Sequence, residues 1–536
     1  MLFETTYNEQ EKLWQGAQVD LIFEPHITIG DFVFKAFKDN PANNCQIWHE
    51  KDQVVTNEEA LKFSIRLAQY FRDEGLTHKD VVGVLTRNNI HEAHVLFACF
   101  FNATPFHAVN PNLEPDAIAA LYAITKPKLI FCDGNDYEFI KSITVEWNPK
   151  ICTLINHIAN VPRIEDHLEP TSTENVYTPK RLVLGADQTM GIICTSGTTG
   201  IPKAVTLSNA QLVLLATSGG TNDVIFTGTS FDWISAIKTA LIGVVSGAPR
   251  IVSTKPFSVE RYVEIVRKHK VTTCHLSHWQ FQEVFSSPLA TPENLSSLQI
   301  IAYGGGWVSA SVVQRAQRIL ENAVFVFLYG TTETDMISTA INPTEDNLVG
   351  FLMPTRSVRI LNEQGDFLGP NEIGEIVIKT NQNWNGYYGN AEQSANTRDS
   401  NGWFHMGDLG YFDSDNNLYV VDRKKNLLKY KSIHYTPNDI EKIIMEMLEV
   451  YAVCVVGIRD KFFNEIAGAL IIKKSNSLLS EQQVIQYVAK RIPVEYKQLH
   501  AGVRFVDSLP LNHNGKILRN VAKEMFQQLR IPKASL

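Results

Sequence analysis

The chain has 536 residues, of which 44% are hydrophobic, 20% charged and 10% aromatic, with a formal net charge of −8. At roughly 100 to 200 residues per domain this length allows about three or four structural units around a large core, and the composition excludes a disordered, collagen-like or coiled-coil chain. The acidic balance argues against a general nucleic-acid binder, and the longest apolar runs, such as Val95 to Phe101, fall far short of the ~18 apolar residues of a spanning helix.

The opening Met1-Leu-Phe-Glu-Thr-Thr has neither a basic n-region nor an apolar h-region, so secretion is not expected and a reducing compartment is. The seven cysteines are scattered, odd in number and never spaced as C-x-x-C, which predicts buried free thiols. Along the chain, strand-like runs alternate with helical patterns. Val81 to Leu85 reads as a strand, the stretch ending at Phe101 as a helix, and Lys128 to Phe131 as the next strand, an alternation that implies α/β layers. Met190 to Cys194 reads as a buried strand. Ser258 can cap a helix carrying Val259, Tyr262, Val263 and Val266 on one face, with a strand from Val271. After Pro437, Ile440, Ile443, Ile444, Met447 and Leu448 form a helical stripe, and Tyr451 to Gly457 reads as a strand. Ser480 and Gln483 form a capping-box pattern opening a helix with Val484, Tyr487 and Val488 inward. The tail is thus a small α/β unit of its own, which sets the expected domains at 1–424 and 425–536.

Charge divides at the same place. From Lys425 to Leu536 there are seventeen Lys and Arg against ten Asp and Glu, a surplus of seven, so residues 1–424 carry −15 of the total −8. A basic tail beside an acidic body reads as a solvated surface, a docking patch or a lid facing phosphate.

The most informative stretch follows the strand at Cys194: Thr195-Ser196-Gly197-Thr198-Thr199-Gly200-Ile201-Pro202-Lys203. Two glycines let consecutive N–H groups turn toward one anion, the hydroxyls add donors and Lys203 adds positive charge, so polyphosphate is the natural ligand. Pro202 stands where a Walker loop needs its second glycine, and Cys194 occupies the place of the first glycine in G-x-S-x-G, which removes Ser196 as a hydrolase nucleophile. Cys274, His275 and His278 lack a fourth ligand at zinc spacing, and packing is their expected role.

The run Thr-Ser-Gly-Thr-Thr-Gly-Ile-Pro-Lys-Ala-Val resembles the signature loop of the adenylate-forming (AMP-binding) superfamily, which includes acyl-CoA synthetases, 4-coumarate:CoA ligases and beetle luciferases. Leu328-Tyr-Gly-Thr-Thr-Glu333 resembles its Y-G-x-T-E motif, Gly402-Trp-Phe-His-Met-Gly-Asp408 its ribose-binding segment, Asp422-Arg-Lys-Lys425 its hinge, and Pro510-Leu-Asn-His-Asn-Gly-Lys516-Ile-Leu-Arg519 its terminal lysine motif. The likeness spans roughly Val54 to Arg519. It implies an α/β enzyme with a large multi-subdomain N-terminal body and a small mobile α+β C-terminal lid.

The resemblance also implies roles. Thr195, Ser196, Gly197, Thr198, Thr199, Gly200 and Lys203 would hold the β- and γ-phosphates of ATP, with Gly304, Gly305 and Gly330 in the nucleotide site. Tyr329 would stack on adenine, Thr332 bond phosphate, Glu333 hold Mg2+, and Asp408 with Arg423 bind the ribose side. Lys516 would meet the α-phosphate and the substrate carboxylate, Lys425 would be the hinge, and Lys429, Lys431 and Ser432 would face the CoA step. Trp233, Gly306 and Trp307 would border the acyl pocket, with Phe231-Asp-Trp-Ile234 giving it an aromatic wall where luciferases have a histidine-rich segment.

Two positions depart from the family pattern: Ala204 replaces a glycine after Pro-Lys, and Ser432 stands where glycine is usual in the loop lining the pantetheine tunnel. The reaction implied is activation of a fatty or aromatic carboxylic acid through acyl-AMP and transfer to CoA, with ATP, Mg2+ and CoA as cofactor and co-substrates and no nucleic-acid partner. Two alternatives stay open, a luciferase-like oxygenase of an adenylated luciferin and a degenerate member that binds without turnover. The final Ala534-Ser-Leu536 resembles the S-K-L peroxisomal address at its first and last positions and lacks the basic middle residue, so peroxisome and cytoplasm are the expected compartments.

Overall fold

Strands with no polar residue facing water need cover on both sides, and here helices supply it. The computed structural model describes residues 4–19, 27–195, 202–217, 224–431, 433–512 and 515–530. They form two compact units: residues 1–6, 15–357 and 378–404 belong to the first, and 7–14, 358–377 and 405–536 to the second.

The first unit holds two sheets. One is ordered Ala204–Ser208, Thr189–Cys194, Phe106–Val109, Val82–Leu85, Leu129–Asp133 and Lys150–Ile155, parallel except for the first pair. Its interior strand Val82–Leu85 is buried at every residue, and the helix Glu92–Asn102 is buried along its whole length. That explains why its apolar residues show no one-sided stripe. The second sheet runs in parallel through Asn44–Trp48, Arg250–Val252, Ile225–Thr227, Thr273–Ser277, Ile300–Gly304 and Val324–Thr331. It then turns antiparallel into Asp335–Ile341 and Leu348–Leu352. Ser258 caps the helix Val259–His269 by accepting from the Arg261 amide, and Tyr262, Val263 and Val266 are buried beneath it.

In the second unit, Val450–Asp460 and Asn464–Lys473 form a long antiparallel pair. The latter is flanked by Leu428–Tyr430 and Gly502–Phe505, and Leu428–Tyr430 pairs with Ile433–Tyr435. Helices Asn438–Met445, Glu481–Arg491 and Arg519–Arg530 seal one core through Ile440, Ile444, Val484, Val488, Ala522 and Phe526. The Ser480–Gln483 capping box forms as the sequence predicts. Two stripe assignments fail at helix edges. Leu448 lies beyond the last turn and is 82% exposed, and Tyr487 sits at the periphery, its hydroxyl donating to Glu446 at 3.0 Å. The short segment Tyr7–Trp14 joins this unit because Trp14 stacks between Tyr7 and Phe412, with both centroid separations 4.4 Å.

The α/β class, the larger N-terminal body and the smaller C-terminal domain agree with the sequence reading. All seven cysteines are free and buried. Among the described residues no helix is long and apolar enough to cross a membrane.

Candidate adenylation site

Within the first unit, the strands Thr189–Cys194 and Ala204–Ser208 clamp the base of the glycine-rich loop. The Thr195 amide donates to the Lys203 carbonyl at 3.0 Å, and the Lys203 amide to Thr195 Oγ1 at 3.3 Å. Ser196, Gly197, Thr198, Thr199 and Gly200 lie outside the described residues. Ala204 is buried in the strand opposite Cys194, so it is a sheet residue.

Lys203 reaches Gln393 Oε1 at 3.0 Å, with its ammonium 4.6 Å from the Tyr387 ring centroid. Tyr387 in turn donates its hydroxyl to Glu333 Oε1 at 2.6 Å. Burial, and then the Glu333 carboxylate, push the Tyr387 phenol well above its usual range, so it stays a proton donor. Glu333 is 5% exposed. Tyr387 is fixed by a bridge to Val205, by Ser394 Oγ accepting from its amide at 2.8 Å, and by Trp384 packed edge-on at 5.0 Å. The lysine of one motif and the carboxylate of another are thus joined through Tyr387. The sequence reading did not single out Tyr387 or Gln393, since they sit in a turn and a short helix, Ala391–Thr397, outside the motifs.

Glu333 follows the strand Val324–Thr331, where the register shifts between Tyr329 and Gly330. A Cβ at Gly330 would fall 2.3 Å from the Asp335 carbonyl oxygen, so only glycine fits the bulge. Thr331 and Thr334 close the turn by an Oγ1 to Oγ1 hydrogen bond of 2.9 Å. Tyr329 and Thr332 are half-buried, which leaves part of each side chain accessible. One strand over, Gly304 pairs with Ser277 and Leu328, and Gly305 turns at φ +84° with Trp233 against it, 3.5 Å from where a Cβ would stand. A Cβ on Gly306 would meet His278 at 2.6 Å. Trp307 is 36% exposed. Of the two rings in the expected aromatic wall only that of Trp233 is partly accessible, together with Ile234. Phe231 belongs to the core, with the Arg250 guanidinium 4.8 Å above its ring. Beside it, burial raises the Asp232 carboxyl to about 6 against hydrogen bonds from Ser230 and Asn110.

The second unit assembles its own cluster. Asp408 and Arg423 are register partners on antiparallel strands, and Arg423 Nε bonds Asp408 Oδ1 at 3.0 Å with the carboxylate almost fully buried. Lys516 lies beside them on a turn made by Gly515 at φ +73° and held by the Lys516 amide donating to Asn512 Oδ1 at 2.8 Å. Burial, with the Arg423 guanidinium next, pushes the Lys516 ammonium down to about 8, against the opposing pull of Asp408. Lys425 is close enough to add to that depression and lies in the exposed turn Lys424–Asn426. Lys429 and Lys431 sit apart from this group on the hairpin Leu428–Tyr430 and Ile433–Tyr435. Lys429 is exposed, and Lys431, at φ +55°, places its ammonium 5.2 Å from the Phe463 ring centroid. Ser432 and Asn514 lie outside the described residues.

No group of three or more His, Cys, Asp or Glu side chains able to hold a metal occurs among the described residues. Mg2+ nevertheless fits Glu333, because this ion is bound through one or two carboxylates and completes its shell with phosphate oxygens and water.

Comparison with known proteins shows the family. The AMP-binding enzyme model matches residues 33–388, and the AMP-binding enzyme C-terminal domain model residues 439–516. The chain is 26% identical to 4-coumarate–CoA ligase 1 of Arabidopsis thaliana over 96% of both chains. It is 28% identical to luciferin 4-monooxygenase of Photuris pensylvanica, over 90% of this chain and 91% of that one. The fold matches ATP-bound MatB from Rhodopseudomonas palustris with a TM-score of 0.84 at 21% identity, covering 94% of this chain and all of that one. Matched by these two models over most of its length, the chain belongs to the AMP-binding enzyme family, the adenylate-forming superfamily.

Proposed function

We propose that the protein is an ATP-dependent acid–thiol ligase that activates a fatty or aromatic carboxylic acid as acyl-AMP and passes it to CoA. The observation that carries this reading is the buried-side cluster of Asp408, Arg423 and Lys516, which pairs a ribose-type acceptor with a cation whose charge is costly until an anion arrives.

In the first half-reaction a substrate carboxylate oxygen attacks the α-phosphorus of ATP and the bond to pyrophosphate breaks. No protein nucleophile is needed, so the chain's work is to position the reactants and neutralise charge. Lys203, held between Gln393 and the Tyr387 ring, meets the outer phosphates. Tyr329 faces the base and Thr332 a phosphate oxygen. Bound Mg2+ supplies charge neutralisation at the leaving phosphates, and Glu333 would hold it. Lys516 neutralises the α-phosphate and the attacking carboxylate. In the second half-reaction the CoA sulfur attacks the acyl carbonyl carbon and AMP leaves with the electrons of the broken C–O bond. Backbone rotation at Lys425 exchanges Lys516 for Lys429 and the loop at Lys431 and Ser432 between the two steps.

An ATP–pyrophosphate exchange screen over aliphatic and aromatic acids, followed by CoA thioester detection, tests this. Exchange with thioester formation supports it, and exchange without thioester in the presence of CoA overturns the ligase half. The similarity to a luciferin 4-monooxygenase makes light emission with luciferin and ATP the second reading, read in the same screen.

A further inference from the structure

The helix Ile234–Ser246 is apolar around most of its circumference, with every residue from Ala236 to Val244 buried, and a single charge interrupts it. That charge is Lys238, 7% exposed. An ammonium has three N–H groups to satisfy. Among the described residues the one partner of Lys238 is the thioether of Met336, with Nζ to Sδ at 3.6 Å, a weak acceptor. A buried cation without a hydrogen-bonded counter-charge is unfavourable in a finished core, and burial pushes the Lys238 ammonium down against the pull of Asp335, so the position is a candidate for an incoming anion or acceptor.

Its place in the fold says which ligand. Met336 is the register partner of Gly330, so Lys238 contacts the strand that pairs with the Tyr329 to Glu333 segment. The same helix follows directly on Trp233, its N-cap residue, which faces Gly305. The charges around it do not balance either. Asp335 is the carboxylate that acts on Lys238, and Asp335 Oδ2 also stands 4.0 Å from Nη2 of Arg356, itself 2% exposed. One carboxylate therefore faces two buried cations. Arg356 has further acceptors in the Met336 carbonyl at 3.0 Å and Gln382 Oε1 at 3.1 Å, whereas Lys238 has none of that kind among the described residues. His275, a further titratable neighbour, is held neutral because burial, and then the charge of Lys238, push its imidazole down to about 4.

We propose that Lys238 is a specificity residue that receives an oxygen acceptor at the far end of the acid from the carboxylate being activated, a second carboxylate above a hydroxyl. This rests on the acid-activating reading given above and narrows its substrate class from plain fatty or aromatic acids to acids with a polar far end. The excess positive charge favours the dicarboxylate. The hydroxyl uses the same donor without the charge.

The test compares hexanoate, ω-hydroxyhexanoate and adipate, with benzoate, para-hydroxybenzoate and terephthalate as the aromatic series, on wild type, Lys238→Met and Lys238→Arg. Two quantities are measured: pyrophosphate-exchange kcat/KM, and the dissociation constant of each acid by calorimetry. Wild type is expected to favour the polar-ended member of at least one series over its plain counterpart by about tenfold or more, since a buried donor left without its acceptor penalises the plain acid. Lys238→Met should bring that ratio near one whatever the absolute rate, and Lys238→Arg should keep part of it. A wild type that ranks hexanoate and benzoate first, or a Lys238→Met variant that changes all acids by the same factor, overturns the assignment and makes Lys238 a structural partner of Asp335. If Lys238→Met does not fold, the Arg variant and the shift in wild-type melting temperature by adipate against hexanoate decide the same question. Calorimetric ranking without exchange would sink the acid-activating reading and leave the Lys238 subsite standing. Exchange without ranking would do the opposite.

Discussion

Tyr387 Oη stands 2.6 Å from Glu333 Oε1, and the same ring lies 4.6 Å from the ammonium of Lys203. One aromatic residue thereby fixes both a carboxylate and a cation of the candidate nucleotide site. Removing its hydroxyl leaves a buried carboxylate oxygen short of a donor, at a cost of about 1–3 kcal/mol. Tyr387→Phe should lower the free energy of unfolding by that amount while keeping the ring beneath Lys203. Because the freed carboxylate is no longer oriented, the Mg2+ concentration for half-maximal pyrophosphate exchange should rise. A variant with unchanged Mg2+ dependence would show that Tyr387 supports only the fold.

The residues legible in the sequence were those whose chemistry is local. Lys203, Glu333, Asp408 and Lys516 each sit in a short run that resembles a family motif, and for Lys516 a local turn at Gly515 accompanies it. Tyr387 was hidden because its role comes from the bridge to Val205, a pairing between segments far apart in the chain. Lys238 was hidden for a different reason. A lone lysine on a helix reads as a solvated face, and only the burial of the whole segment from Ala236 to Val244 makes it a core cation. The expected helical stripes held where two turns were buried, at Ile440 and Ile444, and failed at Leu448, where the helix had already ended. Likewise nothing in Tyr7–Trp14 announces the stack of Trp14 on Phe412 that draws it into the second unit.

Trp233 presents its ring to the Gly305 turn, which has φ +84° and no side chain of its own. Truncation to alanine opens the volume of an indole at the mouth of the proposed acyl pocket. Trp233→Ala should shift the order of catalytic efficiencies toward longer or bulkier acids. An unchanged order, with only a loss of thermal stability, would assign Trp233 to packing.

Lys425 lies in a three-residue turn between the strands Leu418–Arg423 and Leu428–Tyr430. A proline there fixes φ near −65° and restricts rotation. Lys425→Pro should spare pyrophosphate release on a first turnover and slow thioester formation from supplied acyl-AMP. Equal losses in both assays would mean that the turn is not the hinge.

Lys516 carries the sharpest pH prediction, because burial and Arg423 bring its ammonium down to about 8, while an unfolded chain holds that proton to about 10.4. The unfolded state therefore binds more protons through that window, and the Lys516 contribution makes stability rise with pH between those values. Activity should run the other way. Adenylation needs the charged form, so its rate should fall above about pH 8 in wild type. In Lys516→Arg the fall should move to higher pH, since a guanidinium keeps its charge. In Lys516→Ala that alkaline limb should vanish and the rate drop by about a hundredfold, the usual scale for losing one charged donor from a desolvated transition state. Thioester formation from supplied acyl-AMP should stay near normal in the same variant, since Lys516 is assigned to the first step alone. Separate pyrophosphate-release and thioesterification profiles from pH 6 to 10 settle it. An alkaline limb that persists in Lys516→Ala, or equal slowing of the two steps, would show that Lys516 does not divide the chemistry in this way.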